Sequence, residues 1–217
     1  MSTNQRRVAD LLFAAQIALT IWFCSGQFWH MYQNGTQNIH MAMFLCVEIF
    51  VSVNLALAIQ AHWAKPSRVT RQAVIVYSTW VVLWGAVLAQ TLYRGTPWDT
   101  ADAITLGLVA TGAMVILLIA RMYHTGIRSP LIRGYLSLAF KAVPQLSQAY
   151  KIVAMGGAPG LGWVMVLGGH ATIMTRFGQL FFSFRESKSE RNRIGLLVSE
   201  AGNELSWIIV TICWLVY

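Results

Sequence analysis

The chain has 217 residues, of which 56% are hydrophobic and 11% charged. A soluble domain carries about 25% charged residues, so this composition excludes a disordered chain, a coiled coil and an ordinary soluble enzyme, and it points to an integral membrane protein. Sixteen basic and eight acidic residues give a net charge of +8; the basic residues fall between apolar runs, which argues for membrane orientation rather than nucleic acid.

A helix crossing the bilayer core needs about 20 mostly apolar residues, and seven segments meet that length. The first, Val8–Tyr32, follows Arg6 and Arg7 as a secretory signal would. Its apolar stretch continues through Phe28, Trp29 and Met31 with no small-x-small cleavage site after it, so it is expected to be a retained helix. Gly26 and Gln27 lie late in this span. The second, Ile39–Ala61, carries Glu48 and Asn54. Glu48 reads either as a carrier of a coupling proton or as a structural partner for Lys141 or Arg176. The third, Gln72–Leu92, carries Trp80, and the fourth is Thr100–Tyr123.

The fifth span, Leu131–Val153, holds Lys141, Pro144, Gln145 and Gln148. Residues 141, 145 and 148 share one helix face. Pro144 removes a backbone donor and clashes with the carbonyl of residue 140, so a kink is expected, either a transport hinge or a static packing feature. The sixth, Leu161–Phe184, has Gly168-Gly169 for close helix approach, then His170 and Arg176. His170 reads as a titrating group or as a hydrogen-bonded packing residue. In the seventh, Ile194–Tyr217, Glu200, Asn203, Glu204 and Trp207 fall on one face. An amide beside an indole suits a ligand bearing hydroxyls, or equally an interhelical hydrogen bond with a packing aromatic. Trp22, Trp29, Trp63 and Trp98 sit near span ends as interface anchors. Cys24, Cys46 and Cys213 lie within apolar stretches and form no CxxC, so neither a disulfide framework nor a zinc site is indicated.

Twelve basic residues fall on one side of the predicted topology: Arg6, Arg7, Lys65, Arg68, Arg71, Arg121, Arg128, Arg133, Arg185, Lys188, Arg191 and Arg193. Two, Arg94 and Lys151, fall on the other. This bias predicts a cytoplasmic N-terminus and an outer C-terminus, in a bacterial inner membrane.

Gln27 and Tyr32 align with Gln145 and Tyr150, and Trp80 with Trp207, in an internal repeat of three helices, one linking helix and three helices. The units are 1–93, 94–130 and 131–217. Two triplets of like orientation are the plan of parallel-repeat transporters, with the substrate site between them near the midplane. The glycine-rich 156–160 turn lacks the Lys and Ser/Thr of a phosphate loop. No nucleophile triad or metal cluster is evident either, so an enzyme, a cofactor and a metal are disfavoured.

At Val143-Pro144-Gln145-Leu146-Ser147-Gln148-Ala149-Tyr150-Lys151 the sequence resembles the PQ-loop family, which groups with SWEET sugar transporters, lysosomal amino-acid exporters and KDEL-receptor-like proteins. Gly160-Leu161-Gly162 is similar to the Gly-Leu-Ser that opens the family's next helix. Gly168-Gly169-His170, Arg176-Phe177 and Asn203 resemble most the mannose-P-dolichol utilization defect branch. The resemblance covers residues 131–217. It implies an all-α fold of two parallel triple-helix bundles joined by a linker helix (3+1+3) and transport of a small solute, with flexing Pro-Gln helices and a cavity Asn and Trp holding substrate. The first repeat departs from it, with Gly26-Gln27 in place of Pro-Gln. The inside N-terminus is also opposite to what a SWEET resemblance implies.

The expectation is therefore a seven-helix carrier moving a sugar, amino acid or vitamin-like solute by alternating access, with a proton as candidate coupling ion. Its candidate substrate residues are Gln27, Asn54, Trp80, Gln145, Gln148, Asn203 and Trp207. Gly26 and Pro144 are candidate hinges, and Glu48, Lys141, His170, Arg176, Glu200 and Glu204 a candidate charge relay. The expected partners are membrane lipid, the solute, and a second copy or another membrane protein. The alternative is a non-transporting accessory or lipid-linked-sugar utilization factor, which would have a filled interior.

Overall fold

A computed structural model describes residues 3–184 and 190–217, with side chains described over 7–180 and 195–217. Arg185 and Lys188, part of the charge bias above, lie outside the described residues. The chain forms α1 Thr3–Asn34, α2 Met41–Ala64, α3 Arg68–Tyr93, α4 Thr100–Met122, α5 Pro130–Met155, α6 Trp163–Phe184 and α7 Glu190–Val216. Local chemistry sets the ends. Ser67 and Thr70 form a reciprocal capping box at the start of α3. Asp99 and Asp102 form another at α4. Gly156 closes α5 with φ +69°, a conformation that favours glycine.

Five helices, α1 to α4 and α7, are long and apolar enough to cross a membrane. The other two predicted spans are helices of 26 and 22 residues. Lys141, Gln145, Gln148 and Lys151 dilute the apolar character of α5, and His170, Arg176 and Gln179 that of α6. Large apolar side chains cover the outside: Ile104, Leu108, Met114 and Leu118 on α4 and Leu205, Ile209 and Ile212 on α7 are all exposed. So large an apolar surface is at home in lipid; the protein is membrane-embedded.

The helices pack in a closed ring, in the order α1, α3, α2, α5, α7, α6 and back to α1, with α4 outside against α2 and α5. Cross-contacts fix their directions. Asp10 meets Gln72, and Arg94 meets Tyr32, so α1 and α3 run parallel. Gly134 abuts Gly195, and Gln145 bonds Asn203, so α5 and α7 are parallel too. Trp84 meets Phe44 and Thr70 meets His62, so α2 and α3 are antiparallel; Trp207 meets Val166 and Trp214 meets Leu161, so α6 and α7 are antiparallel.

Helix α4 is fastened at its start. Asp102 is fully buried, and its Oδ1 accepts the Ala42 amide (2.8 Å) at the N-terminus of α2. There a carboxylate meets orphan N–H groups and the positive helix end. His40 Nδ1 lies 2.9 Å from the same oxygen, and His40 Nε2 is 3.0 Å from Thr105 Oγ1, which donates to Ser147 on α5 (2.7 Å). Asp102→Ala removes the acceptor and leaves buried donors unpaired, at about 1–3 kcal/mol each. The expected result is a melting temperature lowered by several degrees, read by circular dichroism in detergent, with Asp102→Asn intermediate.

Candidate functional site

The ring encloses a cavity of about 200 Å³ lined by all six of its helices and not by α4. Its wall is layered. The floor is Phe23, Met43, Trp84, Met165 and Trp207. Above it stand Trp80, Gln145, Gly169 and Asn203, then Phe50, Tyr77, Lys141, Thr172, Ser199 and Glu200. Gln16, Asn54, Arg133, Ser137 and Arg176 form the rim, towards the end where α1, α3, α5 and α7 begin. At the rim the Arg176 side chain is 32% exposed, while Gln16, Asn54 and Ser137 beside it are buried.

The floor owes its shape to stacked rings and bonded indoles. Trp84 stacks on both Phe23 and Phe44, with centroids 5.6 and 5.1 Å apart. Its Nε1–H donates to the Phe44 carbonyl, and that of Trp207 to the Val166 carbonyl, each at 2.9 Å. Higher up, Gln145 Nε2 donates to Asn203 Oδ1 (2.9 Å), and Ser206 Oγ donates to Gln145 Oε1 (2.5 Å). The charged layer is loosely paired. Arg176 Nε is 3.9 Å from Glu200 Oε1, while Nη1 donates to Gln179. The Lys141 ammonium sits 5.3 Å from the centre of the Phe50 ring.

Beyond the floor, polar groups tie α1 and the α1–α2 loop to α5 and the α5–α6 loop. Gln27 Nε2 donates to the Gly160 carbonyl (2.8 Å) and Oε1 accepts from the Gly162 amide (2.9 Å). Gln148 repeats this on the opposite side, accepting from the His40 amide (2.7 Å) and donating to the Asn38 carbonyl (3.1 Å). One turn on, His30 Nε2 lies 2.8 Å from the Pro159 carbonyl, and Lys151 Nζ donates to that of Ile39 (2.9 Å). Asn38 also donates to Gly157 and the Gly160 amide to Gln37, joining the α1–α2 and α5–α6 loops. These bonds seal one end of the cavity. On the far side lies a recess lined by Thr36, Asn38, Arg94, Asp99 and Lys151.

The structure places Asn54, Trp80, Lys141, Gln145, Arg176, Glu200, Asn203 and Trp207 around one cavity. Others are elsewhere. Gln27 and Gln148 do not line it, because both side-chain ends are bound to loop backbone. Gln27 matches Gln148 in role, not Gln145, and the counterpart of Trp207 is Trp84, one turn beyond Trp80. Glu48 meets neither Lys141 nor Arg176; it accepts from Ser52 (3.2 Å) within α2 and faces Gly85 on α3. His170 is held by Glu204 (2.6 Å) and Thr211 (2.9 Å) at the α6–α7 contact, off the cavity wall. Gly26 serves close packing rather than bending, since a Cβ there would fall 2.3 Å from Val164 Cγ1. Pro144 lies buried inside α5, which continues on both sides of it.

His40, Asp99 and Asp102 form a cluster that composition did not reveal, with one ligand atom from each lying within 4.8 Å of the others. The donors are already committed. Lys151 Nζ is 2.7 Å from Asp99 Oδ2, and Asp102 accepts from Ala42 and Asp99 amides. A lysine ammonium holds the place of a cation here. Comparisons with known protein families, characterised proteins and solved structures give no match to this chain.

Proposed function

We propose that the protein is a carrier that moves a small polar solute across a membrane by alternating access, with seven spanning helices in a 3+1+3 plan. The observation that carries this reading is a single cavity ringed by six helices and sealed at one end by the paired Gln27 and Gln148 contacts between halves. The ring order supports two like triplets, α1–α3–α2 and α5–α7–α6, joined by α4. A rocking motion of one triplet against the other would break the seal at one end and close the cavity at the other. The resemblance of residues 143–151 to PQ-loop and SWEET-like proteins supports the same plan, with flexing assigned to Pro144. An accessory factor would need no such void, and the cavity favours the carrier.

The charge bias assigns the cavity's rim to the cytoplasm and the sealed end, with Arg94 and Lys151, to the outside. A coupling proton falls to Glu48. Among the described residues it is the acidic group inside a span with no cationic partner, and its Oε2 is buried without a hydrogen bond.

The test is counterflow into proteoliposomes over a panel of sugars, amino acids, vitamins and organic acids. Gln145→Ala and Asn203→Ala are expected to reduce flux at least tenfold; each also leaves a buried polar partner unpaired and lowers the melting temperature by a few degrees, with the monodisperse peak in size-exclusion chromatography retained. Parent-like flux in both sinks the site.

A further inference from the structure

We infer that the cavity takes a small organic anion: a carboxylate on an apolar body about the size of one ring. The inference rests on the carrier reading and names the substrate class of that same cavity. Three cations, Arg133, Lys141 and Arg176, face it against one carboxylate, Glu200. Arg133 Nε is buried with no hydrogen-bond partner among the described residues. The ammonium of Lys141 has an aromatic face for company and no ion pair there. Arg133 and Lys141 are half-buried, and a carboxylate would supply the partner they lack, in a geometry that a guanidinium group matches with paired hydrogen bonds.

The opposite end of the cavity recognises something else. Both indole N–H groups of the floor are spent on backbone carbonyls, so Trp84 and Trp207 offer carbon rather than donors. Gln145 and Asn203 are satisfied by each other and by Ser206. At this end a sugar, which needs a donor or acceptor for each hydroxyl, meets carbon; the hydroxyls of Tyr77, Ser137 and Ser199 stand nearer the rim, beside the cations. The size agrees with a compact ligand: a cavity of about 150 Å³ holds a benzene ring, and this one has about 200 Å³.

The test uses the full-length protein in nanodiscs and three probes of one shape: benzoate, benzyl alcohol and benzylamine. Tryptophan fluorescence titration reads binding, with inorganic phosphate as a fourth probe. Benzoate is expected to bind at least tenfold more tightly than benzyl alcohol, with benzylamine weakest and phosphate weaker than benzoate. Lys141→Gln should erase the preference and Lys141→Arg restore it; Arg133→Gln, read separately, should also narrow it. Equal or tighter binding of the alcohol, the amine or phosphate overturns the inference, as does no binding of benzoate or an unchanged preference in both glutamine variants. Benzoate binding without benzoate counterflow would leave the anion site standing and sink the carrier. Counterflow of neutral solutes with no anion preference would do the reverse.

Discussion

Gly134→Ala is expected to leave little folded protein, although it adds one methyl group. At this point α5 and α7 approach backbone to backbone. A Cβ on Gly134 would fall 2.2 Å from the carbonyl oxygen of Gly195, and one on Gly195 would fall 2.6 Å from the Leu131 Cα. Both obstacles are backbone, so no rotamer change relieves them and the helices must part. Helices in lipid gain little from burying apolar side chains against each other and depend on close packing through small residues. Separation here also strains the Gln145–Asn203 bond further along the same pair. We expect a loss of about 3 kcal/mol, the upper end of the overpacking range, seen as a collapse of the monodisperse peak in size-exclusion chromatography. Gly107→Ala on α4 is the control. Its Cβ would meet nothing within 4 Å, and the better helix former should raise the melting temperature slightly. If Gly134→Ala purifies and melts like the parent, the close approach of α5 and α7 is wrong.

The seven helices were legible because long apolar runs are separated by turn formers at Asn34-Gly35, Lys65-Pro66, Gly95 and Gly156-Gly157. Much of the cavity was legible for a different reason: a polar side chain in an apolar helix has few places to go. That argument found Asn54, Lys141, Gln145, Arg176, Glu200 and Asn203. It also returned Gln27, Gln148, Glu48, His170 and Glu204, because sequence cannot distinguish a group facing a cavity from one facing the next helix or a loop carbonyl. The repeat alignment chose Gln145 for Gln27 because Tyr150 then matched Tyr32. The shared role is instead set by loop backbone, and it pairs Gln27 and His30 with Gln148 and Lys151, a register one turn away. Ser137 and Ser199 carry no signal in the sequence because hydroxyls commonly bond back to their own helix, as that of Thr172 does to Gly169. Arg133 was counted as a loop cation. It stands in the first turn of α5 and reaches the cavity.

The double variant Gln27→Ala, Gln148→Ala is expected to open the sealed end. Each glutamine satisfies one buried N–H and one buried carbonyl across the boundary between halves. Removing either side chain leaves both groups without a partner in the closed state, at about 1–3 kcal/mol per group. In a state where the halves have parted, water reaches those groups and the penalty disappears. The substitution therefore weighs on one conformation and not on the other, which is the condition for a population shift. At the low end, about 1 kcal/mol per group and so about 2 kcal/mol per glutamine, each single variant shifts the equilibrium at least roughly 30-fold towards the opened form, and the double variant shifts it further. The readout is the labelling rate of Gln145→Cys by a membrane-impermeant maleimide applied from the side bearing Arg94 and Lys151, with Cys24, Cys46 and Cys213 replaced by alanine. The cavity lies beneath the seal from that side, so labelling should be slow with both glutamines present and faster by about that factor in each single variant. Lys151→Met removes the bond to Ile39 and the ion pair to Asp99, and it should act in the same direction. Labelling that stays at the parent rate in the double variant would mean that the glutamines hold the loops in place and do not gate the cavity.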